Sequence, residues 1–356
     1  MDLVPRRHLQ IVSGRSHPAL TEAIAGHLGV TPSEANVRTF ANGEIHCRFD
    51  ASIRGADVFI IQTHCGPVNE TVMEHLIMID AAKRASAKRI TAVIPYYGYS
   101  RQDRKATGRE PITAKLVADM LTAAGVNRIL SVDLHSGQIQ GFFDCPFDHV
   151  TAAPVLIDYL RDRMGDNAVI VTPDAGRAKV AERYANHLGV DMALVHKTRP
   201  KGTANQVQAL QVVGDIEGKR CILIDDMIDT AGTICAAADL LVEAGAAEVW
   251  ALATHGVLSN PATERLSNST SISKVVITDT LPIPSGRHFD KLEILSVSRL
   301  IADPLVPCSK RPACRKSSAA RTSPKSTRSS WRLAELRLGL HSPSGPRPSA
   351  ESLEGV

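Results

Sequence analysis

Apolar residues fall in short runs of strand length, alternating with longer stretches whose apolar positions recur every three to four residues. The strand-length runs are Val58 to Thr63, Arg89 to Pro95, Arg128 to Leu134, Ala168 to Thr172, Met192 to Val195, Arg220 to Ile224, Val249 to Thr254 and Lys274 to Thr278. Helical periodicity predicts helices over Asn69 to Ala85, Thr113 to Ala124, Ala153 to Arg163, Ala178 to Leu188 and Thr233 to Ala244. Runs this apolar belong to strands buried on both faces, and their alternation with helices predicts an α/β fold of mostly parallel sheets flanked by helices. Ligands of such sheets gather at the carboxyl ends of the strands. The polar segments that follow the runs are therefore where chemistry is expected.

The pattern repeats. Gly14 to Val30 and Asp174 to Val190 both close on His-Leu-Gly-Val. Leu121 to His135 and Leu241 to His255 both read as a helix end, Ala-Gly, and a strand finishing in His. Two pairs in the same order predict a duplicated α/β domain with a join near residue 150. The last stretch differs: from Asp303 onward Pro, Ser and Arg dominate, apart from a short amphipathic piece from Trp331 to Leu340. Such a composition cannot offset its ordering entropy, and a disordered tail over residues 303–356 is expected.

Charge follows the same division. The chain of 356 residues carries a formal +4, but residues 303–356 hold ten Lys/Arg against four Asp/Glu, which leaves the remainder at about −2. A basic body that wraps nucleic acid is not expected. No apolar run reaches the length of a membrane span, and the N-terminus lacks the apolar core of a signal peptide. Seven scattered cysteines with no Cys-x-x-Cys pair suggest neither a disulfide framework nor a zinc site, and a reducing cytoplasm fits.

Chemistry concentrates first at Cys221 to Thr233, where an apolar strand runs into Asp225-Asp226, then Asp229-Thr230-Ala231-Gly232-Thr233, then a helix. A tight turn opening a helix aims backbone N–H groups at one spot, where the helix dipole also favours an anion. Thr230, Ala231, Gly232 and Thr233 are small enough to admit a phosphate. Asp225 and Asp226 accept hydrogen bonds only, which suits ligand hydroxyls beside that phosphate. Together they describe a ribose 5-phosphate. The plain alternative is an acidic turn capping a helix with Asp229 or Thr230 as N-cap. The stretch resembles the phosphoribosyl-diphosphate loop shared by phosphoribosyltransferases and ribose-phosphate diphosphokinases, and by itself does not separate the two.

Other segments supply cations and ligands. Lys197 and Arg199, two residues apart after an apolar strand, suit a loop that closes over a polyphosphate, since phosphoryl-type transfer needs positive charge where negative charge accumulates. In Tyr96 to Lys105, Arg101, Arg104 and Lys105 can grip phosphates while the tyrosines or Gln102 meet a base; a charged surface loop is the alternative. His135 ends the next strand as a metal ligand or a structural histidine. Asp174, closing another strand, can hold Mg²⁺ or a ribose hydroxyl. Phe40-Ala41-Asn42-Gly43-Glu44 reads as a turn, and its own chemistry marks no site. Gly214 to Arg220 has the wrong spacing for a Walker loop and reads as a turn, so an ATP user here is not a P-loop enzyme.

Jointly, PYYGYSRQDRK, DLHSGQIQGFFD, HKTR, GDIEGK, the Asp225 to Thr233 loop, ATHGVLSNPA and TDTLPIP resemble the ribose-phosphate diphosphokinase family over roughly residues 6 to 302. The resemblance implies two tandem phosphoribosyltransferase-like domains, 6–150 on the ATP side and 151–302 carrying the sugar loop. It implies a Mg²⁺-dependent transfer of pyrophosphate from ATP to ribose 5-phosphate in the cytoplasm. It assigns Lys197 and Arg199 to catalysis, and Phe40, Asn42, Gly43, Glu44, Arg101, Gln102, Asp103 and His135 to ATP. Arg199, Asp225, Asp226, Asp229, Thr230, Ala231, Gly232 and Thr233 fall to the sugar phosphate, and His135 and Asp174 to Mg²⁺. Phe40, Asn42 and Glu44 would reach adenine on a neighbouring subunit, which implies a homo-oligomer, a hexamer, with phosphate and ADP as effectors.

Two departures stand out. The family's Asp-x-Gly-Gly reads here Asp174-Ala175-Gly176-Arg177, whose last side chain would crowd the ribose or point away. Family members continue past residue 302 with a helix and a short end that packs back on the protein; here Ile301-Ala302 runs into Asp303-Pro304 and the tail, which reads as a replaced C-terminus. A non-catalytic regulatory relative and a phosphoribosyltransferase remain the alternative readings.

Overall fold

The computed structural model describes residues 9–198 and 209–305. The first half builds a five-stranded, all-parallel sheet in the order β1-β4-β5-β6-β7 from β1 (Leu9–Ser13), β4 (Asp57–Ile61), β5 (Arg89–Ile94), β6 (Arg128–Val132) and β7 (Phe147–Val150). Helix α1 (Pro18–Leu28) follows β1, α2 (Val68–Arg84) follows β4 and α3 (Thr113–Ala124) follows β5. An antiparallel hairpin, β2 (Ala35–Thr39) and β3 (Ile45–Phe49), forms its own two-stranded sheet.

The second half opens with α4 (Ala153–Arg161), then β8 (Ala168–Thr172), α5 (Ala178–Leu188), β9 (Asp191–Thr198), β10 (Ala209–Val213) and β11 (Arg220–Ile228). It continues through α6 (Gly232–Glu243), β12 (Glu248–Gly256), α7 (Ala262–Asn268), β13 (Lys274–Thr278), β14 (Leu292–Leu295) and α8 (Ser298–Leu305). Its seven-stranded sheet has the order β10-β9-β8-β11-β12-β13-β14, parallel except for β10, which runs against β9. The protein is thus α/β, with two successive sheets flanked by helices. Every strand and helix expected from the apolar pattern is present, four of them (α3, α5, β8 and β13) with the expected bounds and the others with shifted ends.

Strand alternation feeds two apolar layers in each half. In β11, Cys221 and Leu223 pack with Ile234 and Leu241 of α6, while Ile222 and Ile224 face Leu156 of α4 and Tyr184 of α5. In the first half, Ile60 and Ile94 pack with Met78 of α2 and Leu121 of α3. The opposite face carries Ile11, Ile61, Val93 and Leu130 under Leu20 and Ile24 of α1. That layer is completed by Val297, Ile301, Ala302 and Leu305, so α8 crosses from the end of the second sheet to seal the first. The helix carries the chain through Asp303 and Pro304 to Leu305, past the residue where the tail was expected to begin. Residues 306–356 lie outside the described residues.

The sequence repeats correspond to matching local geometry. Gly29 and Gly189 end α1 and α5 with φ of 67° and 72°, and Val30 and Val190 each donate back to the carbonyl of Ala25 and Ala185 at 3.1 Å. Gly125 and Gly245 follow α3 and α6 in the same left-handed region, with φ of 114° and 95°. This is the glycine C-cap that lets a helix turn into the next strand.

Polar contacts cross between the halves. His17 Nε2 donates to the Asp279 carbonyl at 2.9 Å, and Thr63 Oγ1 donates to the Thr280 carbonyl at 2.8 Å. Asp133, at the end of β6, accepts Thr254 Oγ1 at 2.6 Å on its carboxylate and His255 Nε2 at 2.9 Å on its carbonyl. Its φ of 34° is unusual for a non-glycine residue. The turn it makes positions the following Leu134 and His135.

Candidate active site

The strand ends of both halves meet around a cavity of about 670 Å³. The first half contributes Arg101, Asp103 and His135; the second contributes Gly176, Arg177, Asp225 and Asp226. A second cavity of about 760 Å³ adjoins Arg101 and is lined by Gln102, Tyr96, Tyr99, Asn69 and Glu70.

The acidic pair is part of a strand and not of the turn after it. The apolar run of β11 continues through Asp225 and Asp226 to Ile228, because β12 pairs alongside from Asp225↔Ala253 to Ile228↔Gly256. Backbone pairing with a neighbour outweighs the low strand propensity of Asp. Helix α6 begins at Gly232, and its N-cap is Ala231 with φ 61°, in place of the expected Asp229 or Thr230. Asp229 is instead bonded by Arg101 Nη1 at 2.5 Å, a contact between the two halves. The Thr230 carbonyl accepts Arg265 Nη1 at 3.0 Å. A Cβ on Gly232 would sit 3.2 Å from that same nitrogen. Among the described residues, Arg265 is therefore a second cation at the small-residue loop, and nothing in its local sequence marked it.

Asp226 is the buried member of the pair, with 4% of its side chain exposed against 25% for Asp225. Its Oδ2 accepts His135 Nδ1 at 2.7 Å and Arg177 Nη2 at 2.5 Å. Arg177 Nε lies 3.7 Å from Asp225 Oδ1, and its Nη2 also donates to the His135 carbonyl at 3.2 Å. Arg177 thus lies on the carboxylates themselves, an arrangement the sequence did not reveal. Asp225 Oδ1 accepts the backbone N–H of Asp226 at 2.8 Å. Burial raises both carboxyls, but at Asp226 the His135 hydrogen bond and the Arg177 charge outweigh it and hold that group below the usual carboxylate range. Asp225 is pushed up, by burial first and then by the neighbouring carboxylate. One strong acid beside one weak one is what two close carboxylates sharing one cation produce.

Asp174 follows β8 at the surface, its Oδ1 accepting the Gly176 N–H at 3.0 Å. With His135 Nδ1 donating to Asp226, Nε2 is the ring nitrogen left to meet a ligand. One imidazole nitrogen and one exposed carboxylate suit a hydrated Mg²⁺ that takes its other ligands from water and substrate phosphates, as this ion commonly does. The residues present fit the group on that chemistry.

Other expected residues lie apart. Phe40, Asn42, Gly43 and Glu44 form the tip of the β2–β3 hairpin, closed by Phe40 N–H to the Glu44 carbonyl at 2.8 Å, and line neither cavity. Phe40 is 43% exposed there, flanked by Arg38 and His46. Lys197, expected on a loop, is instead the penultimate residue of strand β9, opposite Leu210 of β10, and its side chain lies outside the described residues. Arg199 lies outside them too. His255, the repeat counterpart of His135, is fully buried and structural, bonded to Asp133 and Thr280.

Comparison with known proteins places this geometry. A family model described as the N-terminal domain of ribose phosphate pyrophosphokinase matches residues 9–125. A second, described as the phosphoribosyl synthetase-associated domain, matches residues 197–310. The ribose-phosphate pyrophosphokinase of Bifidobacterium longum is 54% identical over 302 residues, 84% of this chain and 88% of that protein. That of Corynebacterium efficiens is 55% identical over 298 residues, 83% of this chain and 91% of that protein. The crystal structure of phosphoribosylpyrophosphate synthetase from Mycobacterium smegmatis superposes with a TM-score of 0.79 at 50% identity, covering 84% of this chain and 97% of that one. The fold and site define an α/β protein of phosphoribosyl chemistry. The chain belongs to the ribose-phosphate pyrophosphokinase family.

Proposed function

We infer that the protein transfers the pyrophosphoryl group of ATP to the anomeric hydroxyl of ribose 5-phosphate, giving 5-phosphoribosyl 1-diphosphate and AMP for nucleotide and amino-acid biosynthesis. Supporting it is one cavity that joins cationic and histidine side chains of the first half to the acidic strand end of the second. The 5-phosphate rests on the turn from Asp229 to Thr233, where the N-terminus of α6 offers unpaired N–H groups. The sugar hydroxyls donate to the acidic pair. Arg101, Gln102, Asp103 and His135 meet the nucleotide on the facing side.

The anomeric oxygen attacks the β-phosphorus, the bond from that phosphorus to the oxygen bridging it to the α-phosphorus breaks, and AMP leaves. Lys197 and Arg199 neutralise the charge that accumulates on the transferring group; a fixed cation there acts on the transition state more than on the bound sugar. His135 and Asp174 would hold Mg²⁺, which would supply charge neutralisation at the substrate phosphates. Phe40, Asn42, Gly43 and Glu44 serve an adenine site completed by a second copy of the chain. Their support is an exposed aromatic at a hairpin tip that lines neither cavity of its own chain. The working form is accordingly a homo-oligomer, a hexamer, open to phosphate and ADP as effectors. The two halves, 6–150 and 151–302, act as nucleotide and sugar domains. Among the described residues no helix is long and apolar enough to cross a membrane; a cytoplasmic location is part of this reading.

A single assay tests it: protein, Mg-ATP and ribose 5-phosphate, with AMP measured. AMP released one-for-one with phosphoribosyl diphosphate is the expected result. A folded oligomer without turnover would point to a regulatory relative, and base-dependent consumption of phosphoribosyl diphosphate to a transferase.

A further inference from the structure

Two adjacent carboxylates at the floor of a cavity can do either of two things: accept hydroxyl protons, or gather a divalent cation. Neighbouring negative charges out of bulk water repel each other and attract any cation small enough to enter. In this chain the place is already taken. The guanidinium of Arg177, carried on the turn between β8 and α5, contacts Asp226 Oδ2 at 2.5 Å and approaches Asp225 Oδ1 to 3.7 Å. It is 19% exposed and is held from behind by the His135 carbonyl at 3.2 Å. A planar, always-charged fork suits this position in a way a metal ion does not, because it supplies charge without requiring further ligands.

The two acids are also unequally used. Asp226 Oδ2 accepts from both His135 and Arg177, and the side chain is almost fully buried. Asp225 reaches the cavity with a quarter of its side chain exposed, and the bond it accepts from the Asp226 N–H falls on Oδ1. We propose that Arg177 is a resident cation that anchors Asp226 and keeps divalent metal off the pair, so that Asp225 is the acceptor left for the sugar hydroxyls. Arg177 is then a positioning residue that sets what the acidic pair binds, a sugar diol and not a metal ion. The proposal rests on the ribose 5-phosphate reading above.

The test uses the full chain without nucleotide and has two readouts. Calorimetry measures ribose 5-phosphate binding in the absence of metal, and electron paramagnetic resonance counts Mn²⁺ bound per chain in the absence of sugar. Arg177→Ala and Arg177→Gln should weaken sugar binding at least tenfold and bind one more Mn²⁺ than the unaltered chain. Arg177→Lys, which keeps the charge, should keep the unaltered Mn²⁺ count with an intermediate sugar affinity. Adding Asp225→Asn to Arg177→Gln should remove the additional ion. Should Arg177→Ala not fold, the near-isosteric Gln variant carries both readouts. Sugar affinity within twofold in Arg177→Gln, no additional Mn²⁺, or an additional ion that survives Asp225→Asn would each overturn the proposal. An unaltered chain that binds no ribose 5-phosphate and forms no AMP would instead overturn the functional reading, and the Mn²⁺ count still decides the role of Arg177.

Discussion

His135 and Asp226 belong to different sheets and meet at 2.7 Å, the imidazole Nδ1 donating to a carboxylate that is almost wholly buried. The bond ties the end of β6 to the end of β11 and fixes which nitrogen of His135 faces the cavity. A hydrogen bond to a buried charge contributes about 1.5–3 kcal/mol. Because His135 is 37% exposed, the lower end applies. A double-mutant cycle of His135→Ala and Asp226→Asn, read by denaturant unfolding, should give a coupling near 1.5 kcal/mol. Additive effects would show that the two groups do not depend on each other.

Arg101 and Asp229 also join the halves, at 2.5 Å, but with 56% and 29% of their side chains exposed. Ion pairs in such surroundings contribute at most about 1 kcal/mol. Arg101→Ala should therefore leave the thermal midpoint within about 3 °C. The Michaelis constant for ATP should rise by an order of magnitude if Arg101 grips the nucleotide. A lowered midpoint with unchanged kinetics would make the pair a structural tie.

Gly232 separates packing from ligand access in the same way. A Cβ there meets the mobile end of Arg265 at 3.2 Å and no backbone atom, and alanine is the better helix former. Gly232→Ala should match or exceed the stability of the unaltered chain, while the Michaelis constant for ribose 5-phosphate rises about tenfold. Unchanged sugar kinetics would place the phosphate elsewhere.

Much of this was legible beforehand, and the exceptions have physical causes. The central strands announced themselves as apolar runs because both of their faces are covered. β1, β7, β10 and β14 did not, since they are the edge strands of the two sheets, and neither did β2 and β3, which form the small separate hairpin. β11 was read too short, as its last four residues are held by β12 and not by their own propensity. The acids and the small-residue loop were identified by residue type alone. Arg177 stood out only as a departure from the family's glycine, expected to crowd the ribose or point away, and Arg265 not at all, because a single arginine carries no periodicity and only the fold brings it to its partner. The two repeat histidines show the same limit: each ends a strand after the same helix–Ala-Gly pattern, yet His135 reaches the cavity and His255 is sealed in the seam.

His64 and His75 make the fold sensitive to acid. Gly98 N–H donates to His64 Nδ1 at 3.2 Å, so that nitrogen must carry a lone pair, and His64 Nε2 then donates to His75 Nδ1 at 3.2 Å. Both rings are fully buried, and burial lowers the pKa of each, that of His75 to about 3. The unfolded chain takes up these protons near pH 6.5 while the folded chain refuses them. Stability is thus intact above that value and falls as pH drops below it, by up to about 1.4 kcal/mol per pH unit for each ring, the His75 part continuing down to about pH 3. Urea midpoints from pH 7.5 to 5 should show this slope. His75→Gln, whose amide oxygen can still accept from His64, should flatten it by close to one proton.

The last prediction concerns the helix that ends the described chain. Val297, Ile301, Ala302 and Leu305 of the α8 region are buried against Ile11, Leu20 and Ile24, so the first half is closed by residues synthesised after the second. Ile301 is completely buried, and cutting it back to alanine removes apolar contact and leaves a space that both flanking elements must tolerate. Such truncations cost about 2–5 kcal/mol. Because α8 rests on α1 and not on the second sheet's own core, the loss should appear first in hydrogen exchange of β1 and α1, ahead of β11 and β12. If Ile301→Ala instead loosened the second sheet first, α8 would be a part of that half, and the order in which the two halves close would have to be redrawn.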